Sequence, residues 1–503
     1  MPEIILATLN AKHIHASLGL RYLYANLGEL QPRAAIREFT IDPWPIDIAE
    51  QLLVEQPRII GLGVYIWNAE RSQQLVSLLK QVSPETIIVL GGPEVSHEWQ
   101  NQAIVAQADY LITGQADLAF AALCDQLLRG EQPPGKVIEA SPPPLETLQL
   151  PYAYYTEQDI AHRLIYVEAS RGCPFKCEFC LSALDRSAVP FERGAFIQAL
   201  EQLYQRGVRH FKFVDRTFNL NPEQSVALLE FFLARMDEQL FLHFEVIPDH
   251  LPERLRCTLQ RFPAGSLQLE IGIQTFNPQV QRLINRKQDN AKSQANLHWL
   301  RTETQAHLHA DLIIGLPGED MQSFADSFDQ LAALAPHEIQ VGVLKRLKGS
   351  PIIRHSEPFQ MRYNPAAPYN VLSTDRIDFP TMQRLNRFAR YWEMVANSGR
   401  FQRSLPLLLD NQPFDRFMQF SDWLFSTTGQ VHRIALKRLF ELLHDGLTGP
   451  LSVPPATAAR TLEADFNRSG IKGRPQFLRN TVDPDDGANL TTNRHAARQA
   501  RHH

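Results

Sequence analysis

Two successive series of short apolar runs, each run followed by a stretch of helical length, limit most strongly how this chain can fold. The first series reads EIILATL (3–9), AIREFTI (35–41), RIIGLGV (58–64), ETIIVLGG (85–92) and ADYLITG (108–114). Helical spacing lies between them, over 17–30, 45–56, 68–82, 94–107 and 116–129. Runs this short and apolar suit buried strands, and their alternation with helices predicts an α/β domain with a doubly wound parallel sheet. Ligands on such sheets sit at the carboxyl ends of the strands. The proline-rich EASPPPLETLQLPY (139–152) breaks the alternation and predicts a linker.

The second series begins at RLIYVEAS (163–170) and continues with RHFKFVD (209–215), LFLHFEV (240–246), SLQLEIGI (266–273), HLHADLIIG (307–315) and HEIQVGVL (337–344). Six strands with crossover helices predict a partial (β/α)6 barrel, whose active site would again lie at the carboxyl ends. Beyond about 360 the pattern turns to amphipathic helices, FPTMQRLNRFARYWEMVANSGRFQRSL and GQVHRIALKRLFELLHDGL. Their aromatic residues, Trp392 and Trp423 among them, predict an apolar interior. The expected domains are 1–140, a linker at 141–160, a barrel at 161–358, a helical domain at 359–472 and a disordered tail at 473–503.

Composition excludes several functions. With 50 basic and 55 acidic residues the net charge is −5, so nothing electrostatic favours nucleic acid. No apolar run reaches the roughly 18 residues that span a membrane. The start, MPEIILATLN, lacks the pattern of a secretory signal, so a cytoplasmic protein is expected.

Of the 5 cysteines, Cys173, Cys177 and Cys180 stand in SRGCPFKCEFCL, directly after the first barrel strand. That crowding in a cysteine-poor chain predicts metal binding rather than a disulfide framework. Three thiolates suit an iron–sulfur cluster with one iron left open, whereas structural zinc closes with four ligands. His162 and His210 are possible fourth ligands. Cys124 and Cys257 read as ordinary buried cysteines.

The segment CPFKCEFC resembles the CxxxCxxC signature of radical S-adenosylmethionine (SAM) enzymes, with the aromatic Phe179 before the last cysteine. The resemblance covers about 160–345. It implies a [4Fe–4S] cluster on Cys173, Cys177 and Cys180, whose open iron chelates SAM. Electron transfer to the sulfonium would release methionine and a 5′-deoxyadenosyl radical. It also implies SAM contacts from Phe179, from Asp215 and Asn219 in FVDRTFN, and from Glu245. Glu245 reads equally as a surface salt-bridge partner. In LEIGIQTFN, Glu270 and Gln274 share one strand face, with Gln274 the expected contact. Leu316 in DLIIGLPGED would pack or touch the adenine, and Lys345 or Arg346 would reach the cofactor carboxylate; the pair reads equally as a solvated basic turn.

The first domain lacks GxGxxG after its first strand, so a dinucleotide is disfavoured. Instead NAKHIHASLGLRYL, LGGPE and ITGQADLAF resemble the Rossmann-like cobalamin (B12)-binding domain that precedes many radical SAM cores, over about 1–140. The implied cobalamin contacts are Ser17, Gly19, Tyr65, Trp67, Gly91, Gly92 and Gly114. The DxHxxG motif that supplies a histidine to cobalt is absent. His13 and His15 do not replace its spacing. GQAD stands where relatives read GEGE, and Asp117 keeps one acid.

Together these resemblances imply a cobalamin-dependent radical SAM enzyme, methyltransferase-like and related to anaerobic porphyrin cyclases. C-methylation is the expected chemistry, with cyclisation or rearrangement as the alternative. A methylthiotransferase is disfavoured, because only Cys124 precedes Cys173. A zinc-stabilised cobalamin-sensing module is the non-enzymatic alternative. The expected partners are a small-molecule or peptide substrate and an external one-electron reductant of the flavodoxin or ferredoxin type.

Overall fold

A computed structural model describes residues 1–471, 473–478, 498 and 501. They form two compact units: 1–245 with 345–353 and 364–370, and 246–344 with 354–363 and the described part of 371–503.

The first unit opens with β1 (Ile4–Asn10), α1 (Leu18–Ala25), β2 (Ala34–Thr40), α2 (Pro45–Leu53), β3 (Ile59–Gly63) and α3 (Ala69–Val82). It continues with β4 (Ile87–Gly91), α4 (Ala103–Gln107), β5 (Tyr110–Gly114), α5 (Ala119–Leu128) and β6 (Val137–Ala140). The sheet order is β2-β1-β3-β4-β5-β6, with every pair parallel. Strand alternation sends successive residues to opposite faces. Ile5, Ala7 and Leu9 pack against α2 and α3, while Ile4 and Leu6 pack against α1 and α5. Each face therefore has its own core, as the doubly wound reading requires.

Three details differ from the sequence expectation. A sixth strand, β6, pairs with β5 where the proline-rich stretch begins. It is only four residues long and no more than half-buried, so its hydrophobic pattern is weak. The helix expected over 94–107 shrinks to Ala103–Gln107 after a single turn at Trp99–Asn101, and residues 92–98 form a loop instead. Helix α1 stops at Ala25 rather than running to 30.

Helix α6 (Glu157–His162) follows, begun by a capping box of Thr156 and Asp159. Buried Arg21 of α1 reaches both Glu38 of β2 (2.8 Å) and Asp159 (2.7 Å), tying α6 to the first sheet. Next come β7 (Ile165–Val167), a small antiparallel ribbon of β8 (Ser170–Arg171) and β9 (Val189–Pro190), and α7 (Arg193–Gln205). Strands β10 (His210–Phe213) and β11 (Phe241–Val246), with α8 (Pro222–Leu233) between them, complete this run; β7, β10 and β11 are parallel neighbours in that order.

The second unit holds α9 (Glu253–Leu259), β12 (Leu267–Gln274), α10 (Pro278–Leu283), α11 (Asn290–Glu303), β13 (His307–Ile314), α12 (Met321–Ala333) and β14 (Glu338–Val343). Its three strands are parallel, with β13 in the middle. Leu267, Leu269, Ile271 and Ile273 are buried on one face of β12, and Gln268, Glu270, Gly272 and Gln274 alternate on the other. The polar face is the inner face expected of a barrel strand that carries helices outside. The far edge of β14 is not left bare: the Asn397 carboxamide accepts from Ile339 N (3.0 Å) and donates to Ile339 O (2.9 Å), as a neighbouring strand would.

A ribbon of β15 (Arg362–Tyr363) and β16 (Val371–Ser373) precedes the helices α13 (Phe379–Val395), α14 (Leu405–Leu409), α15 (Pro413–Thr428), α16 (Leu436–Thr448) and α17 (Pro455–Ser469). The expected apolar interior exists as ordinary core: Trp392 stands edge-on to Phe328 (4.7 Å) and Phe417 (5.0 Å). Helix α15, with its aromatic stripe, was not anticipated individually. Of the segment expected to be a disordered tail, most lies outside the described residues; Arg498 is described and pairs with Glu338 (2.7 Å) and Glu393 (2.8 Å). Among the described residues no helix is long and apolar enough to cross a membrane.

Candidate active site

The first sheet reverses its strand order between β1 and β3, and a cavity of about 850 Å³ opens at the carboxyl ends there. All seven residues to which the sequence assigned cobalamin contacts, Ser17, Gly19, Tyr65, Trp67, Gly91, Gly92 and Gly114, line it. Ser17 caps α1, its Oγ accepting from Leu20 N. Tyr65 and Trp67 stack at 4.5 Å with an interplanar angle of 6°. Buried Asn68 holds that turn in place, accepting from Tyr65 N (2.8 Å) and donating to Leu9 O (3.0 Å). Burial pushes the Tyr65 phenol up, so it stays protonated.

Two of the glycines answer to the backbone first. Gly92 has φ +106°, and a Cβ there would lie 2.5 Å from Val64 O; Gly114 has φ +77°, with Ala140 O only 2.3 Å from a Cβ. Gly91 is different: its Cβ would meet nothing nearer than 3.9 Å, so its backbone faces open space. His15 also lines the cavity, where its Nδ1 lies 2.7 Å from the Tyr166 hydroxyl of β7.

The same cavity reaches the second strand series through Tyr166, Glu168, Ser170, Arg171, Asp215 and Arg216. Ser170 and Arg171 lead straight into the cysteine loop. That loop is stapled by Cys173 N donating to Asp185 O (2.7 Å) and by Ile352 N donating to Glu178 O (2.9 Å). All five cysteines are free thiols. Burial raises the Cys173 thiol, the neighbouring Cys180 and Cys177 raise it further, and Arg216 opposes them. Cys173 and Cys177 are buried, while Cys180 and Phe179 are half-buried. Among the described residues no three His, Cys, Asp or Glu side chains converge on the position of one metal ion. Three thiolates in one loop suit a cluster that leaves one iron open, whereas structural zinc closes with four ligands. His210 begins β10, at the end away from the loop, and stands edge-on to Phe241.

Several expected SAM contacts are otherwise engaged. Asp215 is buried and accepts from Ala169 N (2.9 Å), Ser170 N (2.6 Å) and Ser170 Oγ (2.6 Å), so it braces the entry to the cysteine loop. Burial pushes its carboxyl up to about 7 despite those donors. Glu245 pairs with Arg216 through both oxygens, at 2.6 and 2.8 Å, which is the salt-bridge alternative. Leu316 is fully buried and offers no surface to an adenine, so it belongs to packing. Arg346 is paired with Glu98 (2.9 Å), in the loop after β4. Gln274 adopts φ +69° at a bulge after Gly272 and keeps the polar face of β12. Cys257, expected to be buried, is exposed on α9.

Sequence reasoning missed the partners of this site. Glu94, at the end of β4, is buried and meets Lys348 (2.7 Å) and the Tyr369 hydroxyl (2.5 Å). Glu168, Arg171 and buried Asp117 form a further charged group in the cavity wall, the first two half-buried. These pairs join distant stretches, and no local spacing announces them.

Residues 4–124 match the family model described as B12 binding domain, and residues 167–331 match that of the radical SAM superfamily. The chain carries a B12 binding domain followed by a radical SAM domain. Residues 357–501 match a family described as protein of unknown function (DUF4080). The 2-(S-pantetheinyl)-carbapenam-3-carboxylate methyltransferase of Streptantibioticus cattleyicolor is 25% identical over 372 residues, 66% of this chain and 54% of that protein. The cobalamin-dependent radical SAM methyltransferase TokK of Streptomyces tokunonensis is 23% identical over 444 residues, 79% of this chain and 62% of TokK. The chain thus spans between half and two thirds of the length of these relatives. The structure of the cobalamin-dependent SAM radical enzyme OxsB with aqua-cobalamin shares the fold, with a TM-score of 0.62 at 13% identity over 96% of this chain and 83% of OxsB.

The radical SAM domain brings a [4Fe–4S] cluster and SAM as cofactors, and the B12 binding domain brings cobalamin. The chain's residues suit these groups: free thiols are crowded in one loop, and a glycine-walled, aromatic-floored cavity opens at the sheet switch point.

Proposed function

We propose that this enzyme transfers a methyl group to an unactivated carbon of a small-molecule or peptide substrate. The observation that carries the proposal is the shared cavity, bordered by the corrin-type loops of the first sheet and by the strand end that enters the cysteine loop. When bound, the cluster and SAM supply a 5′-deoxyadenosyl radical that removes a hydrogen atom, and methylcobalamin supplies the methyl group. The chain's own task is placement and exclusion of water. Cys173, Cys177 and Cys180 would hold the cluster, with Phe179 beside the SAM adenine and Gln274 toward its ribose or carboxylate. Ser17, Gly19, Gly91, Tyr65 and Trp67 would border the corrin, with Gly92 and Gly114 shaping the backbone beneath it. Asp215 would act indirectly, by holding Ala169 and Ser170. Five free thiols suit a reducing compartment, and a flavodoxin or ferredoxin would deliver the electron.

The test is anaerobic reconstitution, followed by incubation with SAM, reductant and methylcobalamin. Iron and acid-labile sulfide with release of 5′-deoxyadenosine support the reading, and Cys177→Ala should abolish both. Zinc without sulfide overturns the enzyme class. Deoxyadenosine formed with a productive substrate but no labelled methyl transfer overturns methylation and leaves cyclisation or rearrangement.

A further inference from the structure

Arg171 stands two residues before Cys173, and its guanidinium turns into the cavity wall rather than into solvent. Its Nη1 donates to Asp117 Oδ2 (3.0 Å) and to Gln115 Oε1 (3.2 Å), both in the loop after β5. Its Nε and Nη2 take Glu168 Oε2 (3.3 and 3.1 Å), at the end of β7. The guanidinium carbon lies 4.8 Å from the Tyr22 ring centroid. Gln115 then returns to the cysteine loop, its Nε2 donating to Asp185 Oδ2 (2.9 Å). Asp185 O in turn accepts from Cys173 N.

These contacts close a ring: the loop after β5, Arg171, the cysteine loop, Asp185, Gln115, and the loop after β5 again. The side chains of Arg171, Asp117 and Glu168 are 14%, 9% and 15% exposed, so the ion pairs are shielded from water and salt. A planar fork that donates in two directions fixes orientation as well as distance, which a lysine ammonium cannot do. The ring also explains the departure GQAD after β5: both its Gln and its Asp are spent on Arg171 and Asp185.

We propose that Arg171 is a positioning residue that, with Asp117 and Gln115, locks the cysteine loop to the corrin-side loop after β5 and so sets the spacing between the two redox centres. This rests on the proposed function, in which the cysteine loop holds the cluster and the β5 loop borders cobalamin. Arg171 touches no reacting atom in this role; it acts through the loops.

The test reads magnetic coupling rather than turnover. Wild-type protein is reconstituted, loaded with cob(II)alamin and reduced, and the broadening of the cobalt EPR signal by the reduced cluster is recorded. Failure of the wild type to load either centre would count against the proposed function and not against the lock. With both centres loaded, Arg171→Ala and Arg171→Lys should keep wild-type iron and sulfide but lose the single defined coupling. Asp117→Asn should do the same, and the Arg171→Ala/Asp117→Asn double variant should add nothing further. Coupling in Arg171→Ala identical to wild type overturns the proposal, as does full rescue by lysine. If Arg171→Ala takes up no cluster, Asp117→Asn and Gln115→Ala decide, since neither residue lies in the cysteine loop: altered coupling at full cluster content supports the lock, and unchanged coupling overturns it.

Discussion

Glu319 lies in the loop between β13 and α12 and is 0% exposed. Its Oε1 accepts from the Thr275 hydroxyl (2.7 Å), while Oε2 is buried without a hydrogen-bond partner. Burial pushes its carboxyl from 4.5 up to about 8, against the pull of Thr275. At neutral pH this side chain is therefore a neutral acid in the folded protein and a carboxylate in the unfolded chain. Because the folded value is raised, its contribution is fully present below about pH 4.5 and is lost as pH rises through about 8. At 1.36 kcal/mol per pH unit, the loss between about pH 5.5 and about pH 8.5 amounts to about 3 kcal/mol. Glu319→Gln keeps the shape and the Thr275 contact but cannot ionise. Thermal melts of wild type and variant at one scan rate across this pH range should therefore diverge. With a shift of roughly 2 °C per kcal/mol for a unit this large, the variant should gain roughly 6 °C on wild type from the acidic to the alkaline end. A difference in melting temperature that stays constant with pH, or one that moves the other way, refutes the reasoning; it would mean that Glu319 is ionised and paired in solution.

Two further substitutions test other parts of the structure. Gly92→Ala places a methyl group 2.5 Å from Val64 O at a φ of +106°; it should cost about 1–3 kcal/mol and weaken hydroxocobalamin uptake, measured by titration of the visible spectrum, while the thiol count stays the same. Asn397→Ala leaves Ile339 N–H and C=O without their partner on the outer edge of β14; it should cost about 1–3 kcal/mol and raise light scattering on mild heating, whereas unchanged melting and scattering would show the edge to be covered by other means.

Much of the architecture was legible because strand burial writes itself into the sequence. Every apolar run named in either series contains a strand, most within about two residues of the expected bounds, since at least one face of each strand is buried under helices; 163–170 shortens to Ile165–Val167. β6 escaped because Val137–Ala140 is short, half-exposed and followed by proline. The helix expected over 94–107 failed for a different reason. Its charged residues are spent on long-range pairs: Glu94 on Lys348 and Tyr369, Glu98 on Arg346. Periodicity cannot show such pairs.

The candidate site divides the same way. The cavity's glycines, Tyr65 and Trp67 follow strand ends and could be found by counting along the chain. The engagement of Asp215 by Ala169 and Ser170, and of Glu245 by Arg216, depends on how neighbouring strands meet. Arg171 was visible in the motif, but its function was not, because Asp117 lies 54 residues away.

The return of residues 345–353 and 364–370 to the first unit has a consequence for how the protein is made. The cysteine motif is complete once residue 180 has been synthesised, yet Ile352, which holds Glu178, comes much later. Lys348 and Tyr369, which satisfy Glu94, are later still than the sheet they complete. During translation the cysteine loop lacks its Ile352 contact, and Glu94 its partners Lys348 and Tyr369, while more than a third of the chain is still to be made. A fragment ending before residue 345 would carry every cysteine of the motif without the Ile352 contact that steadies Glu178 among them.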